Sequence, residues 1–383
     1  MAQDKDLKTP NIPPLRFPDF TDEWKKVTLG EIGIGFNYGL NAPAKEYDGM
    51  NKYIRITDIE ESTGAYSEAD IVSPNGKLSD EYIVNNNDIL LARTGASTGK
   101  SYLYAPKDGR LYFAGFLIRF NVNKANPYFI YTNLHTRNYW RWVNIMSARS
   151  GQPGINSQEY SSYPLYIPSR KEQNKIANLL QLLDERIATQ NKIIEDLKKL
   201  KSAIYDVVFS SLTGRLASLG DVAEIIKGKQ VNGEFLSDDG EYYVMNGGVE
   251  PSGYYHSFNT PANTISISEG GNSCGYIQWN NSSFWSGGHC YTLRILDSNI
   301  ENKYLYHLLK RREVEIMKLR IGTGLPNIQK KDLAKVSVVM PSSAIQNKVI
   351  SLLDSIDNKI KIEINLSFLF LRQKAYLLSK MFI

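Results

Sequence analysis

From Arg170 to Ser211 the chain holds a single register. Stepping alternately by four and three from Ile176 gives Leu180, Leu183, Ile187, Gln190, Ile194, Leu197, Lys201, Ile204 and Val208, apolar except at Gln190 and Lys201. Such a seam belongs to a helix packed lengthwise against another helix. It returns 173 residues later as Val349, Leu353, Ile356, Ile360, Glu363, Ser367, Phe370, Lys374, Leu377 and Met381. The polar breaks recur too, Gln190 as Glu363 and Lys201 as Lys374. A duplicated chain whose halves each close with a long helix reads as domain, helix, domain, helix. A helix of about 40 residues runs roughly 60 Å at ~1.5 Å per residue, more than either globular half needs for its own core. Packed on each other, the two helices would act as a rigid ruler. If they run antiparallel about the two-fold of the repeat, Lys201 faces Glu363 and Gln190 faces Lys374, polar seam residues that fix register at some cost in stability.

The rest of the chain repeats in the same order. Leu29-Gly-Glu returns as Leu219-Gly-Asp, and Tyr53-Ile-Arg as Tyr243-Val-Met. Ile89-Leu-Leu-Ala-Arg-Thr-Gly returns as Ile265-Ser-Ile-Ser-Glu-Gly-Gly, keeping the glycines Gly95/Gly271 and Gly99/Gly275. Leu117-Ile-Arg-Phe aligns with Thr292-Leu-Arg-Ile, and Asn126-Pro-Tyr-Phe with Asn302-Lys-Tyr-Leu. From Gly151 to Ile187 the register against Gly324 to Ile360 is constant, with Pro168/Pro341, Gln173/Gln346 and Asp184/Asp357 shared. Two repeats are too few for a solenoid.

Short β-type runs at Tyr53–Ile56, Asp88–Arg93 and Gly115–Phe120 lie between turn-forming clusters. Asn126 and Pro127 cap and open a helix. Arg149–Ile155 reads as a tight loop, Tyr163–Pro168 as an edge strand fenced by prolines, and Gly214 as the stop of the first long helix. The expected fold is α+β: two α/β domains in internal duplication, separated by a pair of long antiparallel coiled-coil helices. The boundaries are a proline-rich extended arm at 1–20 (Pro10, Pro13, Pro14, Pro18), domains at 21–168 and 215–341, and helices at 169–214 and 342–383.

Composition narrows the function classes. With 42% hydrophobic and 22% charged residues in 383, the chain is of soluble globular type. No run reaches the ~18 uncharged apolar residues of a membrane span, and the first residues lack the apolar core of a signal peptide. Two cysteines, Cys274 and Cys290, give no disulfide framework, so a cytoplasmic location is expected. A net charge of +5 permits nucleic-acid binding without demanding it. The 24 tyrosines, many beside Arg, Lys, Asn or Ser, suit phosphate contact and base stacking, and equally suit the covering of sheet faces.

No catalytic constellation emerges. Gly95-Ala-Ser-Thr-Gly-Lys-Ser follows an apolar run, but three residues separate its glycines where a phosphate-binding loop needs four. It reads instead as a glycine-rich turn presenting Arg93, Thr94, Ser97, Thr98 and Lys100, groups able to hold DNA phosphates and base edges. The matching turn of the second half presents Glu269, Asn272, Ser273 and Tyr276. The histidines His135, His256, His289 and His307 show no paired metal-ligand spacing with each other or with the cysteines, so no metal site is expected. Acid pairs such as Asp238-Asp239 and Glu60-Glu61 sit in polar turns. The chain reads as a binder, not an enzyme.

In the order of its parts the chain resembles the specificity subunits of type I restriction–modification systems. The resemblance runs from about Trp24 to Ile383. It rests on the duplicated domain–helix order, the Leu29-Gly-Glu and Leu219-Gly-Asp starts, the Asp88-Ile-Leu-Leu-Ala-Arg-Thr-Gly run, and the entries Pro168-x4-Gln173 and Pro341-x4-Gln346 into the helices. The second half departs from the first at Glu269, against Arg93, so that loop's role does not carry over directly. The resemblance implies that each half is a target-recognition domain reading one part of a split double-stranded DNA sequence, with the helices as spacer. It implies two methyltransferase subunits docked around the helices, and restriction subunits joining them. S-adenosylmethionine, ATP and Mg would lie on those partners and no cofactor on this chain. Leu179, Leu182 and Ile193, off the seam, are equally partner surface or core. The reading from another class is a coiled-coil adaptor that binds proteins without reading DNA.

Overall fold

The computed structural model describes residues 10–61, 63–148, 153–322, 324 and 326–383. The chain divides into two compact units, Met1–Asn191 with Asn365–Ile383, and Lys192–Ile364. Each unit therefore takes one stretch of each long helix, and the division cuts through both helices rather than falling at their ends.

The first unit is built on a four-stranded antiparallel sheet. Its strands are β1 (Gly33–Tyr38), β2 (Asp88–Ala92), β3 (Ser101–Leu103) and β4 (Leu117–Val122), in spatial order β1-β4-β2-β3. β2 is central and buried along its whole length, as an unbroken apolar run requires. Its side chains alternate between faces. Ile89 and Leu91 join a core with Trp24, Phe129, Tyr139, Ile176 and Leu180, while Leu90 and Ala92 join Ile54, Val84, Leu111 and Phe113. Helices α1 (Pro127–Asn133) and α2 (Arg137–Ser147) contribute to the first core. Asn126 caps α1 by accepting from Phe129 N at 3.0 Å, with Pro127 in the first turn as its sequence foretells. A clasp of Lys25–Thr28 against Pro164–Ile167 closes the domain before the long helix.

The second unit repeats this plan. Strands β5 (Ala223–Lys227), β6 (Thr264–Ser268), β7 (Ile277–Asn280) and β8 (Cys290–Ile295) pair in the order β5-β8-β6-β7. Helix α4 (Asn302–Arg311) covers its core, and Arg215–Ser218 clasps Ser337–Met340.

The ladders correct one sequence alignment. Leu91 lies opposite Ile118 and Ala92 opposite Leu117, whereas Ile267 lies opposite Tyr291 and Ser268 opposite Cys290. Leu117 therefore corresponds to Cys290 and not to Thr292. A slip of two residues leaves the in–out alternation unchanged, so apolar pattern alone could not detect it.

The long helices are α3 (Arg170–Ser211) and α5 (Ser343–Lys380). Every seam position from Ile176 to Val208 and from Val349 to Met381 is buried or half-buried. In the first unit Asp184, Arg186 and Asn191 of α3 meet Lys374, Phe370 and Ser367 of α5, so the two segments run antiparallel. The expected pairing of Lys201 with Glu363 is not the one adopted. Lys201 bonds to Asp357 in the second unit, and Lys374 bonds to Asp184 in the first. A lysine on the seam reaches sideways to a carboxylate beside it, and Glu363 is met by Lys359 of its own helix.

Two shared glutamines weld the helices to the domains. Gln173 accepts from Asn126 N at 2.8 Å and donates to Pro168 O at 2.9 Å. Gln346 accepts from Glu301 N at 2.8 Å and donates to Pro341 O at 2.9 Å. Each ties the N-terminus of a domain helix to the start of a long helix.

Two expectations change in detail. Residues 1–9 of the proline-rich arm lie outside the described residues, but the remainder is anchored. Arg16 grips Glu172 through two bonds of 2.7 Å, and Leu15 N donates to Lys380 O at 2.9 Å. Gly214 follows the end of α3 as expected, yet its need is space: a Cβ there would strike the Met340 carbonyl. Of the expected tight loop at 149–155, residues 149–152 also lie outside the described residues.

Candidate nucleic-acid interface

In the first unit the main chain leaves β2 at Ala92 and enters the glycine turn. Arg93 N donates to Phe116 O at 3.1 Å, Ile155 N donates to Arg93 O at 2.9 Å, and Gly95 N donates to Pro153 O at 3.0 Å. The turn is thereby laid against Pro153–Ile155. Gly95 and Gly99 adopt φ of +73° and +94°, a region that glycine enters without penalty. No helix follows the turn; β3 does, which excludes a strand–loop–helix phosphate cradle.

Aromatic hydroxyls fasten the turn from beneath. Tyr160 OH donates to Ala92 O at 2.6 Å and accepts from Gly99 N at 3.1 Å, while Tyr139 OH donates to Gly99 O at 2.8 Å. Burial pushes both phenols well above their ordinary pKa, so they stay protonated donors at neutral pH.

The five residues expected on this turn divide. Thr98 is buried and donates to Gly95 O at 2.8 Å, so it holds the turn shut rather than facing a ligand. Thr94 and Ser97 are half-buried at the surface, and Lys100 lies 3.8 Å from Glu61. Arg93 is the distinctive member. Its guanidinium sits 4.7 Å above the Tyr38 ring, and among the described residues no acceptor takes its donors. Tyr38 is itself held, because Ser157 N donates to its hydroxyl at 3.3 Å; hydrogen bonding to Ser157, through its side chain first and its backbone second, draws the phenol below its usual pKa. Tyr38, Asn41, Arg55, Thr57, Arg93 and Phe116 help to line a cleft of about 570 Å³, with Phe116 62% exposed. Tyr38 and Phe116 were not singled out in the sequence. They come to Arg93 across strands, and only the ladder register reveals them.

The second unit builds the same frame. Glu269 N donates to His289 O at 2.9 Å, Ile328 N donates to Glu269 O at 2.9 Å, and Gly271 N donates to Pro326 O at 3.0 Å. Gly271 and Gly275 repeat the left-handed conformations at +78° and +91°. By ladder position Lys227 stands where Tyr38 stands, each opposite the strand residue equivalent to Ile118, and His289 stands where Phe116 stands.

The chemistry of that frame is inverted. Glu269 is buried, and its Oε1 accepts from Lys227 Nζ at 2.7 Å and from Tyr291 OH at 3.0 Å. It is therefore not an offered acceptor, contrary to its expected exposure on the turn. Asn272 is exposed and Ser273 half-buried, while Tyr276 lies 4.1 Å beneath the Lys310 ammonium.

Cys274 and Cys290 are buried and unpaired. Among the described residues, His307, Asp354 and Asp357 approach one another within 4.8 Å. Their groups already have partners: His307 bonds Tyr205 OH at 2.9 Å and Asp354 at 2.8 Å, and Asp357 bonds Lys201. No helix among the described residues is long and apolar enough to cross a membrane.

Sequence and structure comparisons agree with one another. The family described as Type I restriction modification DNA specificity domain matches twice, over residues 21–199 and 216–367. A Mycoplasma pneumoniae protein, provisionally assigned as a type I specificity subunit, is 37% identical over 135 residues. That alignment covers 35% of this chain and 36% of the relative, so the match spans about a third of that protein. The MjaVIII type I restriction enzyme specificity subunit of Methanocaldococcus jannaschii is 22% identical over 91% of this chain and 89% of its own length. The crystal structure of the type I restriction–modification system S subunit from M. genitalium superposes with a TM-score of 0.68 at 20% identity, covering 97% of this chain and 99% of the other. The likeness to that structure is one of fold.

Proposed function

Because the chain belongs to the family of type I restriction–modification DNA specificity domains, we propose that it is the sequence-reading subunit of such a system. Each unit reads one half-site of a bipartite double-stranded DNA target. Bound methyltransferase subunits then modify adenine at the site so chosen, and restriction subunits cleave DNA that lacks the mark. Catalytic chemistry, with S-adenosylmethionine, ATP and Mg, lies on those partners.

One observation carries this reading. The same hydrogen-bonded frame occurs twice, around Arg93 and around Glu269, with unlike side chains at equivalent positions. A fused duplicate can change each frame separately, so two unrelated half-sites are readable by one chain, where a homodimer would read a palindrome. The exposed or half-exposed groups Arg93, Thr94, Ser97, Lys100, Asn272, Ser273 and Tyr276 are the proposed contacts.

Co-expression with methyltransferase subunits, followed by mapping of methylated adenines, tests the proposal. A discontinuous motif with two defined halves supports it. Unmethylated DNA, with duplex binding that does not weaken as salt rises, favours the protein-binding adaptor instead.

A further inference from the structure

We propose that Arg93 reads the acceptor edge of a guanine within the half-site of the first unit, with Tyr38 fixing its plane and Phe116 walling the base. The inference rests on the DNA-reading function above and assigns the base class at one position of it.

A guanidinium laid 4.7 Å over a tyrosine ring keeps its plane, and Tyr38 is fixed in turn through Ser157 N. The outer donors of such a fork are parallel. They match guanine O6 and N7, which lie side by side in the major groove. A fork set before binding loses little rotamer freedom when it binds. The donors of Arg93 have no acceptor among the described residues, so no ion pair with a described residue has to break first.

A backbone phosphate also accepts two parallel bonds, but the neighbouring surface disfavours it. Phe116, 62% exposed, shares the cleft with Arg93. A phosphate there would lie against an apolar ring, whereas a base edge or a thymine methyl gains from one. The second unit supplies the contrast. Glu269 replaces Arg93, is neutralised by Lys227 and bonded by Tyr291, and leaves no cationic fork. The guanine contact belongs to the first half-site alone.

The test uses the full chain co-expressed with its methyltransferase subunits, selecting bound sites from a randomised duplex pool. Arg93→Gln is expected to relax selection at one G·C pair of the first half-site by roughly 10-fold or more, leaving every other position as in wild type. Tyr38→Leu is expected to weaken selection at that same pair, and Tyr38→Phe, which keeps the ring under the guanidinium but loses the bond from Ser157 N, to weaken it less than Tyr38→Leu does. The Tyr38 variants provide an independent reading if Arg93→Gln melts at a lower temperature than wild type. A uniform loss over all positions, with a shallower salt dependence, would mean a phosphate contact and overturn the inference. Unchanged selection would overturn it as well. Absence of sequence selection by the wild-type complex would instead overturn the DNA-reading function beneath it.

Discussion

Lys374 lies 2.6 Å from Asp184 in the first unit, and 173 residues earlier in the repeat Lys201 bonds to Asp357, the counterpart of Asp184, in the second. The same ion pair is thus built twice between opposite helices. The first is the better supported, since Tyr128 OH also donates to Asp184 at 2.6 Å. Its side chains are only 14% and 25% exposed, so it should matter more than a surface pair. Lys374→Glu is expected to cost about 2–4 kcal/mol, and Asp184→Lys in the same chain to return part of it. A double-mutant cycle by denaturant unfolding measures the coupling, expected at about 0.5–3 kcal/mol. Coupling indistinguishable from zero would show that the helix register does not depend on the pair.

The proline-rich segment gives a second comparison. Arg16 and Glu172 form a two-pronged pair with 10% and 1% of the side chains exposed, and Trp24 Nε1 also donates to Glu172 at 3.4 Å. Arg16→Ala strands a buried carboxylate and is expected to cost about 3–5 kcal/mol. Lys175, paired with Asp19 at 46% and 68% exposure, should cost no more than about 1 kcal/mol when changed to Ala. Equal losses would mean that the segment is bound by something other than the buried pair.

The two turn glycines of the first unit should differ in their tolerance of alanine. Gly95 has φ of +73° and open space around a Cβ, so Gly95→Ala is expected to cost roughly 1–2 kcal/mol of backbone strain. At Gly99 a Cβ would also lie 2.7 Å from Val143 Cγ1, adding about 1–3 kcal/mol of overpacking. Thermal unfolding of the two variants should rank Gly99→Ala as the less stable. The reverse order would count against the packing of α2 beneath the turn.

Acid should loosen the first unit through His135. Burial lowers its pKa from 6.5 to about 4, and its Nδ1 meets Tyr131 O at 2.8 Å. The unfolded chain takes up the proton first, so this contribution is full above pH 6.5 and is lost as pH falls toward 4. At pH 5 the loss is about 1–2 kcal/mol. His135→Gln, uncharged throughout, should flatten stability between pH 6.5 and 5. An unchanged slope in the variant would assign the acid sensitivity to other groups.

Local pattern carried much of the fold. The seam positions that the sequence marks on both helices are all buried or half-buried, because a helix face is set by spacing along one segment. The glycine pairs Gly95/Gly271 and Gly99/Gly275 were equally visible, since a left-handed residue leaves its mark in the sequence. What escaped was pairing between segments. The strand β8 slips by two residues against its alignment with β4 without altering its alternation, and that slip concealed the match of Tyr38 to Lys227 and of Phe116 to His289. Thr98 and Glu269 looked exposed because turns usually are; both bond to the frame beneath the turn. The lysines of the seam bond to acids beside it rather than to polar residues on it, which heptad position alone does not specify.

The most direct measurement exchanges residues 24–165 for the corresponding half of another member of the family and maps adenine methylation by the co-expressed complex. If the units read independently, one half of the motif changes to that of the donor and the other half stays as it was. A change in both halves, or in neither, would contradict the assignment of one half-site to each unit.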